Sequence, residues 1–167
     1  MKNICTPITN DVINDLVVGD MITISGYIYT GRDAVLPKVL SLIKRGEVET
    51  AGIELRGSVI FHTAVSPAGI GPTSSNKLEI ESTIPGLSEA GVKIHLGKGF
   101  LKKKTVEAMH EHNSVYAAVP PVTALLSSKV KSKKVVAFPE QGMEALHQLE
   151  VDGFPAIILA AHGKTLY

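Results

Sequence analysis

An α/β fold, a mixed sheet core with helices packed on it, is what this sequence predicts, and three observations predict it. Short apolar segments rich in β-branched residues recur along the chain, segments with helical spacing lie between them, and Gly and Pro fall as turns at the junctions. There is no internal repeat and no low-complexity linker, so the 167 residues, 44% of them hydrophobic, read as one domain over 1–167 with a single core.

Met21 to Tyr29 (MITISGYIY) alternates apolar and polar residues and predicts a strand, with Gly26 at a bulge or a close approach. The turn T-G-R-D follows. Val35, Val39, Leu42 and Ile43 then fall at helical spacing, with Asp33 as the expected cap and Gly46 as the stop, although Pro37 sits in the first turn. Ser58 to Val65 predicts a second strand, and Ser66 to Asn76, small residues with Gly and Pro, a loop. Pro85-Gly86 reads as a turn. Val92 to Leu96 predicts a strand that passes through Gly97-Lys98-Gly99 into an amphipathic helix at Leu101 to His112, with Val106 and Met109 facing inward. Further strands are expected at Val115 to Val119, Val135 to Phe138 and Ala156 to Ala160, a helix at Val122 to Val130, and a short helix near Gln141 to Leu149.

Lys+Arg number 17 against 16 for Asp+Glu, so no global field draws the chain to nucleic acid or anionic lipid, and any anion site must be local. The lysine runs Lys102 to Lys104 and Lys129 to Lys134 lack interleaved aromatics and read as solvated faces. Met1 to Asn10 has no apolar signal-peptide core, and the longest apolar run, Phe154 to Ala161, is far short of the roughly 20 residues that span a bilayer. A soluble, cytoplasmic protein is expected. Cys5 is the single cysteine, so this chain by itself closes no disulfide and holds no iron–sulfur cluster, and the histidines show no ligand spacing. No metal bound by this chain alone is expected.

Three turns carry candidate chemistry. Gly97-Lys98-Gly99 opens a helix and places a cation among free backbone N–H groups, a site for a carboxylate or phosphate; without a Ser or Thr at position 99 it is not a nucleotide P-loop. Gly71-Pro72-Thr73-Ser74-Ser75-Asn76-Lys77 packs three hydroxyls, an amide and a cation into seven residues, as substrate loops and ordinary turns both do. Arg32-Asp33 places a guanidinium at a strand-to-helix turn, where it either clamps a carboxylate or pairs with a neighbouring acid.

In order and spacing, T-P-I-T at 6–9, V-G-D-M-I-T-I-S-G-Y-I-Y-T-G-R-D at 18–33, G-P-T-S-S-N-K at 71–77, L-G-K-G at 96–99 and G-M-E-A-L-H-Q-L-E-V-D-G-F-P-A at 142–156 resemble the β subunit, or C-terminal domain, of class I fumarase and L-tartrate dehydratase. The resemblance implies a swivelling β/β/α domain and a hydro-lyase acting on a small dicarboxylate: fumarate to malate, or tartrate or a related acid. It implies activity only with an α subunit, which carries the 4Fe-4S cluster through three cysteines. It also implies that Arg32 and Lys98 grip substrate carboxylates, that Lys77 stands where the family usually has an arginine for the other carboxylate, and that Thr73 is the base. Gly71, Ser74 and Gly97 complete the expected substrate-binding set. Departures are Lys77 itself, Leu36 near a usual histidine, Ser74 for a second threonine, Gly153 for an aspartate, Ala161-His162 for a usual acidic residue, and a shortened segment before Gly71. They motivate an alternative: a paralogue that no longer catalyses and serves as a carboxylate-binding, regulatory or structural subunit.

Overall fold

The computed structural model describes the chain except residues 68, 74–76 and 121; the side chains of 71–73, 77–79 and 123 are also outside the description. In chain order the elements are β1 (Lys2–Cys5), α1 (Asn10–Asn14), β2 (Met21–Thr30), α2 (Leu36–Lys44), β3 (Val59–Phe61), β4 (Thr63–Ser66), β5 (Gly69–Thr73), α3 (Lys77–Glu89), β6 (Ile94–Gly97), α4 (Lys103–Glu111), β7 (Val115–Ala118), α5 (Thr123–Ser128), β8 (Val130–Ala137), a 3-10 segment (Pro139–Glu144), β9 (Leu146–Ala161) and β10 (Lys164–Thr165). Among the described residues no helix is long and apolar enough to cross a membrane.

Strands β1, β2, β3, β6 and β7 pair in parallel, in that spatial order. The long β9 runs antiparallel to β7 along one edge and antiparallel to nearly all of β2 along the other. The pairings therefore close into a ring, β2–β3–β6–β7–β9 and back to β2, which leaves neither β2 nor β7 as an open edge of it. One buried cluster draws a side chain from each strand of the ring, including Ile24, Phe61, Leu96, Val115 and Phe154. The alternate residues pack against the helices: Ile60 joins Val35, Leu36 and Val39 of the α2 region, and Tyr116 joins Ile80, Ile84, Val106 and Met109 of α3 and α4. Strands covered on both faces read as continuous apolar runs, which is why β3, β6 and β7 are legible as short apolar words.

The structure corrects several local expectations. Asp33 does not cap α2: the Arg32 carbonyl accepts from the N–H groups of Val35 and Leu36 at 3.1 and 2.9 Å, Val35 is the N-cap without a side-chain bond, and Pro37 lies in the first turn, where its missing N–H costs nothing. The expected strand at 58–65 is interrupted at His62, dividing β3 from β4. The expected loop at 66–76 contains β5, which forms a two-stranded ribbon with β4. Pro85 lies inside α3, a helix that the Pro-Gly turn signal conceals; burial of Ile80, Ile84 and Leu87 offsets the roughly 3 kcal/mol that an internal proline costs. The expected helix at 141–149 is instead the end of the 3-10 segment and the start of β9, because ladder bonding to β2 and β8 outweighs local helical preference there.

Gly26 is a bulge and a close approach, as its place in the alternation predicts. The β2–β9 register shifts between Ile24 and Gly26, φ at Gly26 is +110°, and a Cβ there would run into Thr6. Gly26→Ala is expected to cost about 1–3 kcal/mol or more in urea unfolding, from backbone strain with the clash added. Gly52→Ala, which has φ +82° with nothing within 4 Å of a new Cβ, should cost less and so isolates the contribution of the clash.

Candidate active site

In the spatial order of the parallel strands, β2, β3 and β6 are neighbours, and their C-terminal ends open on one edge of the sheet. This is where α/β sheets usually bind ligands, because the chain leaves each strand there in a free turn. Gly31 and Arg32 follow β2, His62 and Thr63 follow β3, and Lys98 and Gly99 follow β6. Backbone bonds lace the turns together: the Gly31 N–H donates to the Phe61 carbonyl at 3.1 Å and the His62 N–H to the Leu96 carbonyl at 3.0 Å. The pairing of Thr63 with Thr73 brings the end of β5 to the same edge. With strands about 5 Å apart, Arg32 and Lys98 project from backbones about 10 Å apart, with Thr63 between them. Lys77 begins α3, four residues after Thr73. Of the expected residues, Ser74 lies outside the described residues, as do the side chains of Thr73 and Lys77, while Gly71 lies in β5.

Arg32 has neighbours that motif reading missed. Its Nε lies 3.7 Å from Glu144 Oε1 and 4.0 Å from Asp33 Oδ1, ion-pair distances too long for hydrogen bonds, and among the described residues neither Arg32 Nε nor Glu144 Oε1 has a hydrogen-bond partner. Topology brings Glu144 there. Thr30 pairs with His147 in the antiparallel β2–β9 ladder, so the residues just after Thr30 meet those just before His147. Glu144 lies within the G-M-E-A-L motif, and that long-range pairing is the information a local reading lacks. Leu36 is buried at 2% exposure in the cluster beneath α2, so this position points into the core.

Lys98 is exposed and forms no ion pair among the described residues. Its turn is held from below: the Tyr116 hydroxyl donates to the Lys98 carbonyl at 2.9 Å, and burial raises the phenol's pKa, so it remains a protonated donor. A Cβ on Gly97 would sit 3.0 Å from that hydroxyl, which accounts for glycine at this position; Gly99 has φ +81°. A cavity of about 900 Å³ lies elsewhere, along the N-terminal side of β3 and β6 with Arg56, Ser58 and Lys93 in its wall. Volume therefore does not choose the site; the convergence of cations and free turns does. Among the described residues no three His, Cys, Asp or Glu side chains are placed to hold a metal ion, and Cys5 is exposed on β1.

The sequence of the fumarase C-terminus family matches residues 2–167. The chain belongs to this family. It is 32% identical to a putative L(+)-tartrate dehydratase subunit beta of Methanocaldococcus jannaschii, over 96% of this chain and 88% of that protein. It is 28% identical to the L(+)-tartrate dehydratase subunit beta of Escherichia coli, over 99% of this chain and 86% of that protein. A putative class I fumarate hydratase of Geobacillus stearothermophilus is 30% identical over 96% of this chain, which spans only 32% of that longer protein.

Beneath the site, this member of the fumarase C-terminus family carries a buried polar chain to which the sequence reading assigned no role. His62 Nε2 lies 3.1 Å from His95 Nδ1, His95 Nε2 lies 3.0 Å from Ser88 Oγ, and Ser88 Oγ lies 2.8 Å from Ser114 Oγ. Burial lowers the pKa of His62 to about 4; burial and then the neighbouring His62 lower His95 well below the usual value. Both rings are neutral near pH 7, and one proton lies between the facing nitrogens. Protonating the acceptor nitrogen would set N–H against N–H, and protonating the other ring would place an unpaired charge in the same dry interior.

Because the folded pKa values are depressed, the stabilising contribution is complete above the unfolded value near 6.5 and declines as pH falls from there toward 4. Going from pH 7.5 to pH 5, the His62 shift corresponds to a loss on the order of 2 kcal/mol of unfolding free energy. Urea titrations at the two pH values should show this loss, and a His62→Phe, His95→Leu double variant should show a flatter dependence. An equal slope in the double variant would place the acid sensitivity elsewhere.

Proposed function

We propose that this chain is the β subunit of a two-chain hydro-lyase that adds and removes water across a carbon–carbon double bond in a small dicarboxylate, fumarate to malate or the dehydration of tartrate. The observation that carries the reading is the meeting, at one sheet edge, of Arg32, the Gly97-Lys98-Gly99 turn and the end of β5 at Thr73. Two cations presented from turns about 10 Å apart suit an anionic ligand, and Lys77 at the start of α3 supplies a third for its other end. The names of the relatives supply the reaction class. One exposed cysteine cannot hold an iron–sulfur cluster, so in this reading the partner chain carries the 4Fe-4S cluster.

In this reading Arg32 and Lys98 bind substrate carboxylates, Lys77 binds the second end, and Gly71, Ser74 and Gly97 let backbone and hydroxyl groups approach. Glu144 keeps the Arg32 guanidinium oriented until a substrate carboxylate replaces it as the counter-charge. Thr73 exchanges a proton with the carbon beside a carboxylate. A threonine hydroxyl is far too weak an acid to do this in water, so the neighbouring cations and a closed, dry site must favour its alkoxide as the proton moves.

The test is coexpression with a cluster-carrying partner under anaerobic conditions and assay of fumarate hydration and tartrate dehydration. Lys98→Ala and Thr73→Ala are each expected to lower kcat/KM by about 10²-fold or more. Full activity in both variants would overturn the site. Dicarboxylate binding without turnover in any reconstituted pair would instead make the chain a non-catalytic carboxylate-binding subunit.

A further inference from the structure

We propose that Glu81 is a positioning residue that sets the separation of the two lysine-bearing segments, and through it the length of dicarboxylate that the site accepts; this rests on the reading of the site above. Glu81 lies on α3, four residues and about one turn after Lys77, and is 8% exposed. Its Oε1 accepts both the Lys102 backbone N–H at 2.6 Å and the Thr105 hydroxyl at 2.7 Å. Lys102 is the N-cap of α4 and follows the Gly97-Lys98-Gly99 turn by three residues. Helix α4 has no side-chain cap of its own, and a carboxylate from another helix accepts from the N-cap N–H, the bond that a local Glu at the third helical position makes in a capping box.

The consequence is geometric. Apolar contacts among Ile80, Ile84, Val106 and Met109 hold α3 and α4 together, but such contacts tolerate sliding of one helix along the other. Two short bonds to one carboxylate oxygen at the first turn of α4 do not. The remaining ties on this stretch come from elsewhere: Tyr167 accepts from the Leu101 N–H at 2.8 Å and donates to its carbonyl at 2.9 Å, and Tyr116 holds the Lys98 carbonyl. The Glu81 bonds thus run from the helix that Lys77 opens to the helix that Lys98 precedes. Glu81 Oε2 is buried without a hydrogen-bond partner among the described residues, a costly arrangement that an apolar residue of similar size would avoid. A carboxylate at this place suits a role in registration rather than in packing.

Because both bonds fall on Oε1, Glu81→Gln retains them while removing the charge, and Glu81→Leu removes them at similar volume. Calorimetry of the assembled pair with succinate and with the one-carbon-longer glutarate reads the separation without requiring turnover. The wild-type preference between the two diacids is expected to survive in Glu81→Gln within about threefold and to shrink by about tenfold in Glu81→Leu. Thr105→Val, which removes one bond and keeps the shape, should move the ratio the same way by a smaller factor, and it serves should Glu81→Leu not fold. A merely structural Glu81 would lower yield and leave the ratio of folded protein unchanged, and that result, or equal behaviour of the Gln and Leu variants, overturns the proposal. If neither diacid binds the wild-type pair, the reading of the site fails, and amide exchange over residues 97–102 of the full chain decides the positioning role. That exchange should rise about tenfold in Glu81→Leu and not in Glu81→Gln; no rise would overturn it.

Discussion

The antiparallel ladder between β2 and β9 is the interaction on which the rest of this structure depends. It joins residues near 21–30 to residues near 147–157 and converts an open parallel sheet into a closed ring. A ten-residue strand whose one edge is divided between β1 and β3 would otherwise expose its other edge to solvent; closure satisfies those backbone groups and gives the apolar cluster an enclosure. The same ladder requires Gly26. A bulge bends β2 where Thr6 crosses it, and only a residue without Cβ permits that approach.

Closure also explains the chemistry at the edge. The pairing that ends at Thr30 and His147 places the 3-10 segment against the turn after β2, so Glu144 meets Arg32. At the neighbouring strand ends, polar groups are either held by tight local bonds, as at Lys98 with Tyr116 beneath it, or kept neutral by burial, as at His62 and His95. The two cations at this edge therefore differ: Arg32 has Glu144 and Asp33 at ion-pair distance, whereas Lys98 is exposed with no ion pair among the described residues.

Much of this was legible locally. β2, α4 and the glycine turn between β6 and α4 follow from alternation, helical spacing and turn residues, because each is built from near neighbours. The 3.6-residue spacing of Ile80, Ile84 and Leu87 was obscured by Pro85-Gly86, whose turn signal is overridden by contacts of α3 with α2 and α4; Gly86 in fact permits the approach of Leu40. The first half of β9 was hidden for the complementary reason, since its ladders to β8 and to the distant β2 leave no signature within its own few residues. Glu144, Glu81 and the buried histidine pair were missed as members of the site region because each is defined by a partner distant in sequence.

What the sequence alone determined is the α/β class, the order of the main strands and helices, and the three turns that carry Arg32, Thr73 and Lys98. These are properties of residues within a few positions of one another. Only the tertiary structure decided that the sheet closes, that those turns share an edge, and that Arg32 is met by Glu144 while Lys98 stands free of ion pairs among the described residues. The physical reason is that local propensity acts through bonds within a turn or two, whereas the closure of a ring and the meeting of charges depend on pairings whose entropic cost is met only when the whole core forms.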